Sequence, residues 1–418
     1  MSTNNFIKNI KFFLYAFLYL SLITGFVLDE NSSGGAIYDF KIIIKAVKSF
    51  SVNLVSTYEN YNSFTISHYP YYYIFLGILF KLTGSVTFIK LTILHLSLFL
   101  PFVFYQILKF KYPNNKKYIA FVPGLLFLSP FFRSSAIWAL NDNLALIFFS
   151  LSILYFLKAL YSEKKDKTFR YVLYNLFFIV CATYTRQYYA VFGIFFFYNF
   201  LVKFNFKIIC YYTLFGLILI LPIIYQFFDP NLSYAFNFFS HNLVNNFILL
   251  STIFIVYLAP FYFNLDQIKK LISFYKKKFF LLLLLFLFSI FLIYFFDYNI
   301  TFLDKKKVGG GVIYKIFFRN SIFFLYYMIF FLSILVFVHF CWSNIKQNLI
   351  VIIFFFGMFP LGYIFQKYLD PSSLIIIFCL FESEFLKKYV KDLSYNIKYL
   401  YGYFLIFYFG SIFQYYIV

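Results

Sequence analysis

The chain has 418 residues, 63% of them hydrophobic and 28% aromatic, and its 36 Lys and Arg against 15 Asp and Glu give a formal net charge of +21. No water-soluble domain buries so large an apolar fraction, so the composition excludes a soluble enzyme and predicts an all-α, polytopic integral membrane protein. The basic excess lies in short connections between apolar runs, which orients spans by the positive-inside rule and excludes nucleic acid as a partner.

Apolar stretches of about 16–24 residues, each long enough to cross or nearly cross a bilayer core, follow one another almost from end to end. In chain order the crossings are expected at 11–28, 86–108, 118–136, 142–160, 171–186, 188–203, 208–228, 245–264, 279–297, 318–341, 348–364, 371–386 and 398–418. Hydropathy thus predicts about 11–13 transmembrane helices in one membrane domain covering 1–418. Lys8 and Lys11 precede the first run and no small-residue cleavage site follows it, which reads as an uncleaved span. Within the domain, 29–85 form a long first extracytoplasmic loop, 86–297 the middle helices, 298–317 a second outer loop and 318–418 the C-terminal helices. No solenoid repeat and no Pro-, Gly- or Ser-rich linker divides the chain.

With the N-terminus inside, the connections 109–117, 158–170, 203–207, 265–278, 342–347 and 387–398 hold most of the Lys and Arg. Lys305, Lys306 and Lys307 break the pattern on the outer side. The first loop is not plain. Residues 38–50 alternate apolar and Lys positions at helical spacing and predict a juxtamembrane amphipathic helix. A second short helix is expected within 68–84, with Pro70 at its first turn and Gly84 ending it. Cys181, Cys210, Cys341 and Cys379 fall in or beside apolar segments with no CxxC spacing, so they read as small hydrophobes rather than ligands or disulfide partners.

The outer connections carry isolated ionisable residues beside aromatics. Asp29, Glu30 and Asp39 lie within DENSSGGAIYDF, at a membrane boundary where a carboxylate is costly unless it is used. One of them suits a general base or an acceptor-orienting group; the alternative is that Asp39 caps the helix after it. His68 and Tyr69 open HYPYYY, a proton-active ring beside aromatics that can pack on a sugar or an isoprenoid. Arg133, Asn141 and Asp142 lie in RSSAIWALNDN, where Arg133 suits a phosphate or pairs with Asp142. Arg186 in TYTRQYY and Lys367 in FQKYLDP add outer-face cations, and GGG at 309–311 allows a flexible loop. No Walker or dinucleotide motif is present.

This layout resembles the GT-C class of membrane glycosyltransferases, which includes the dolichyl-phosphate-mannose-dependent mannosyltransferases and the bacterial lipid A aminoarabinose transferases. The resemblance rests on the acidic segment after the first span, on His68-Tyr69-Pro70-Tyr71-Tyr72, which is similar to the HPPLYY-like segment of that class, and on FKLTGSVTFIKLTILHLSLFL at 80–100. It implies inverting transfer of a sugar from a polyprenyl-phosphate carrier to a lipid, glycan or protein acceptor on the extracytoplasmic face, in a bacterial inner membrane. It further implies an essential first-loop acid and cations on the carrier phosphate. Asn31-Ser32-Ser33 follow Asp29-Glu30 where that class has a Tyr and an apolar residue, which moves the choice of acid to Asp39, with Glu30 and Asp29 behind it. Arg133, Arg186 and Lys367 are then the candidates for the phosphate; His68 and Asp142 are the candidates for the acceptor side, and Tyr69 and Asn141 are further candidates for substrate binding. No cofactor or metal site is expected, and a divalent ion requirement stays open. The alternatives are a lipid-linked oligosaccharide flippase or transporter, which would show discontinuous helices, or a polysaccharide polymerase.

Overall fold

The computed structural model describes residues 3–229, 243–297, 301–302, 306–307, 309–359 and 364–416. These are predominantly helical, with one two-residue antiparallel ladder among the described residues pairing Thr301 with Lys307 and Phe302 with Lys306. Lys305 of the outer basic triplet lies outside the described residues. Five helical runs are long and apolar enough to cross a membrane, or up to seven if each of two bent pairs counts as one span, which makes this a polytopic membrane architecture. The chain forms two compact units. The first comprises 1–237 and 404–418; the second comprises 238–403. The second boundary falls inside the last helix, Leu393–Tyr416, where no linker composition marks it.

In the first unit the expected crossings at 11–28, 86–108 and 142–160 correspond to Thr3–Val27, to Val86–Ser97 continued by Phe99–Lys111, and to Asp142–Leu160. Lys165–Thr185, Ala190–Lys203 and Phe206–Phe227 occupy the next three. The crossing expected at 118–136 is corrected. It is not one helix but a tight 3₁₀ stretch, Val122–Leu128, meeting the helix Pro130–Ile137 at a 66° bend. Pro123 and Pro130 each lack an amide donor, and Ser129, whose hydroxyl accepts from the Phe132 amide, starts the second piece afresh.

The first loop contains both expected juxtamembrane helices. Ala36–Val52 buries Phe40, Ile43, Ala46, Val47 and Phe50 and leaves its Lys positions outward. It begins at Ala36, so Asp39 sits in its first turn instead of capping it. The second, Tyr71–Thr83, packs against the first and ends at Gly84, whose φ of 63° is the left-handed cap that glycine adopts without strain.

The ends of this unit differ in chemistry. Lys203 meets the Leu160 carbonyl and the Tyr161 ring, and Lys158 lies over Tyr155 and Tyr171, so the lysine-rich connections gather at one end. Asp142 opens the same 19-residue helix that Leu160 closes, about 28 Å away at 1.5 Å per residue. The ionisable residues singled out in HYPYYY, in NDN and in TYTRQYY meet around that opposite end.

In the second unit the buried helix Leu243–Leu258 forms the centre. Helices Phe323–Cys341 and Ile345–Gly357 pack beside it as a hairpin: the Phe337 and Phe356 ring centroids are 6.0 Å apart. A straight helix would separate those residues by about 28 Å, so the chain turns back at Trp342–Asn344, as the alternation of charge predicts. The connection 265–278 is itself a helix, Leu265–Lys277, set at 95° to the apolar Phe279–Tyr294. The crossing expected at 371–386 is corrected: the run is broken into Gln366–Leu369, Ser372–Cys379 and Glu384–Lys391, with Pro371 and the segment 380–383 at the breaks. Among the four cysteines, Cys341 and Cys379 are buried, Cys181 is half-buried and Cys210 is exposed, and none is in a disulfide.

Candidate functional site

Two polar clusters in the first unit hold or border nine of the sequence-selected residues, and they are built differently. The first joins the start of the first outer loop to the broken span. Glu30, 6% exposed, and Arg133, 2% exposed, form a buried ion pair: Arg133 Nε donates to Glu30 Oε1 at 2.8 Å and Nη2 to Oε2 at 2.5 Å. Arg133 Nη2 also donates to the Ser21 carbonyl at 2.8 Å, and Nη1 donates to Ser21 Oγ at 3.0 Å. Glu30 accepts in turn from Ser32 Oγ at 2.7 Å and from Tyr408 Oη at 3.1 Å, while the Arg133 guanidinium lies 4.8 Å from the Tyr408 ring centroid. Trp138 donates its indole N–H to the Glu30 carbonyl at 2.8 Å. Gly25 permits this approach, since a Cβ there would lie 2.3 Å from Glu30 Oε2 and 2.8 Å from Arg133 Nη2.

Arg133 therefore pairs with Glu30, and the alternative Arg133–Asp142 pair is corrected. Asp29 stands beside this cluster: it accepts from Lys90 Nζ at 2.8 Å, with the Lys90 ammonium 4.0 Å from the Trp138 ring centroid.

The second cluster lies at the end of the unit opposite the lysine-rich connections. Arg186 terminates the helix Lys165–Thr185 and is 4% exposed, yet its guanidinium meets two other segments. Nη2 contacts the Asp142 carboxylate, and Nη1 donates to His68 Nε2 at 2.7 Å. His68 Nδ1 lies 3.3 Å from Gln187 Oε1, and Gln187 Nε2 donates to the Ser67 carbonyl at 2.6 Å. Asn141 donates to the Thr185 carbonyl at 3.1 Å, which fastens the NDN turn to the TYTRQYY turn. Tyr72 donates to the Ala139 carbonyl at 2.8 Å and ties in the second juxtamembrane helix.

Asp39 belongs to this neighbourhood. Its carboxylate, that of Asp142 and the Arg186 guanidinium all act electrostatically on the Tyr73 phenol, which burial pushes up from its ordinary value. Burial does the same to Tyr69, with the Tyr71 and Tyr184 phenols adding to it. Asp39 and His68 are half-buried and the Asp142 side chain is 18% exposed, so this cluster reaches the surface whereas the Glu30–Arg133 pair does not.

Lys367 lies in the second unit, over the Phe365 ring. Sequence reasoning passed over its neighbour Asp370, which is 3% exposed beside the break at Pro371. Gln366 Oε1 accepts from the Val312 amide at 3.1 Å, Gln366 Nε2 donates to Tyr257 Oη at 3.0 Å, and Tyr257 reaches Asp370. The signal was an acid next to a proline inside an apolar run. Gln187 and Tyr408 were also passed over, and neither carries a charge that would have drawn attention. Among the described residues no three His, Cys, Asp or Glu side chains gather as metal ligands. Comparison with family models, with curated proteins and with solved structures finds no match.

Proposed function

We propose that this protein is a GT-C-type membrane glycosyltransferase of about 11–13 spans, acting at the extracytoplasmic face of a bacterial inner membrane. It would move a sugar from a polyprenyl-phosphate carrier to a lipid, glycan or protein acceptor. One observation carries the reading: His68, Asp142 and Arg186, which come from three separate segments, meet in one partly open polar cluster at the end expected to face outward, with Asp39 near enough to act on the Tyr73 phenol beside it.

In this reading the acceptor hydroxyl attacks the anomeric carbon as the bond from that carbon to the phosphate oxygen breaks. Asp39 takes or orients the hydroxyl proton, and Arg186 holds the charge that develops on the departing phosphate. Asn141 fastens the turn that carries Arg186, Asp142 neutralises Arg186 until the phosphate takes its place, and Tyr69 supplies an aromatic wall. Glu30 and Arg133 satisfy one another and serve as scaffold, so neither is assigned to chemistry.

Membranes containing the protein, supplied with polyprenyl-phosphate sugars labelled in the sugar, should release polyprenyl phosphate as label enters a new product, and Asp39→Asn should stop both. Movement of intact lipid-linked sugar across the bilayer without bond cleavage would overturn the reading. It would favour the transporter, to which the broken helix at Asp370–Pro371 lends support.

A further inference from the structure

The hydrogen-bond directions around Arg186 fix more than its position. A guanidinium can only donate, so His68 Nε2, 2.7 Å from Arg186 Nη1, must present its lone pair. The ring proton then resides on Nδ1, where Gln187 Oε1 at 3.3 Å accepts it. Gln187 is itself set in that sense, because its other amide atom lies 2.6 Å from the Ser67 carbonyl and must be the NH₂ that donates. The Tyr61 hydroxyl donates to the His68 carbonyl at 2.8 Å and anchors the backbone from which the ring extends. Each link allows one direction, and the chain runs from the Ser67 carbonyl through Gln187 and His68 to the guanidinium.

We propose that His68 is a positioning residue for Arg186, held as the neutral Nδ1–H tautomer by the guanidinium on one ring nitrogen and Gln187 on the other, and that Gln187 is a second positioning residue acting through it. The imidazole lone pair that a general base would use is committed to the guanidinium, and a protonated ring would place a second cation 2.7 Å from the first. His68 therefore aims the donor-phosphate group and takes no part in proton transfer. This deepens the reading above and rests on it for the ligand, a polyprenyl phosphate.

Two readouts separate the claims. The chain has four histidines, so ¹⁵N-histidine solid-state NMR of the purified protein in liposomes, with the His68 signals assigned by their loss in His68→Gln, reports the tautomer without any substrate. The expected result is protonated Nδ1 and bare Nε2; Gln187→Leu should keep that tautomer, because Arg186 still donates to Nε2, but shift the Nδ1 signal through loss of its acceptor. A protonated Nε2 overturns the proposal whatever the protein does.

The second readout is binding of farnesyl phosphate to the detergent-solubilised protein. The glutamine of His68→Gln offers an oxygen where Nε2 stood, so affinity should stay within about threefold of the parent, whereas His68→Leu should lose on the order of tenfold or more, as expected for a lost bond to a charged group. Equal loss in both variants, or none in His68→Leu, overturns the positioning role. Failure of the parent to bind farnesyl phosphate, with the tautomer as expected, removes the donor reading and leaves the geometry standing.

Discussion

Removing Glu30 tests whether the first cluster is scaffold. Its side chain is 7% exposed and that of Arg133 is 2% exposed, so Glu30→Ala leaves a cation buried with the neutral acceptors Ser21 and Phe127 around it. An uncompensated buried charge costs about 3–5 kcal/mol, and Arg133→Met, which strands the carboxylate with Ser32 and Tyr408, should cost about as much. Replacing both by apolar residues removes the charges together, so Glu30→Ala with Arg133→Met should cost less than the sum of the single changes by about 2 kcal/mol. Thermal unfolding in detergent reads this directly. Trp138 and Trp342 are the two tryptophans, and Trp138 donates to the Glu30 backbone, so a Trp342→Phe background makes fluorescence report on the cluster itself. Single changes that unfold with the parent, or a double change whose cost is strictly additive, would refute the claim that these residues act as a pair.

Four further outcomes are expected. Cysteines introduced at Ser63 and at Lys165, both exposed, should differ in reactivity toward an impermeant reagent in intact cells, with position 63 labelled and 165 protected. Asp39→Asn keeps the shape and loses the basicity, so insertion should be normal while transfer falls on the order of 10²–10⁴-fold in a turnover assay. Arg186→Lys keeps the charge but loses the planar fork, and should raise the apparent Michaelis constant for the donor more than it lowers turnover. Burial raises the Tyr61 and Tyr69 phenols above their ordinary value of 10.0, so the folded state favours the protonated form; stability should be fully present below that pH and be lost as the pH rises beyond it, seen as a falling melting temperature.

The helical membrane architecture was legible because hydropathy needs no partner information. The same holds for the two first-loop helices, where apolar spacing marked the buried face of Ala36–Val52 and Gly84 marked the end of Tyr71–Thr83. What hydropathy does not register is continuity. A window average treats 118–136 and 371–386 as uniform apolar stretches, yet Pro123, Pro130 and Pro371 remove donors from the backbone ladder and the helices break there. The division into two units was illegible for a related reason, since its second boundary runs through the unbroken helix Leu393–Tyr416.

Pairing was the other illegible quantity, and it separates two arginines that look alike in sequence. Arg133 and Arg186 each stand near the expected outer end of a span, each beside aromatics, and each within reach of a carboxylate. Sequence proximity favoured Asp142 as the partner of Arg133, but the bent span carries Arg133 to Glu30 and Ser21, where buried neighbours wrap its guanidinium. Arg186 reaches Asp142 and His68, groups that themselves border the surface. A phosphate approaching Arg133 would have to displace a buried carboxylate and strand it away from water, at a cost of several kcal/mol. At Arg186 the displaced group is Asp142, which can turn toward water, so exchange of one anion for another is far less costly. Solvent access to the partner, more than the burial of the arginine, decides which cation is available for a ligand.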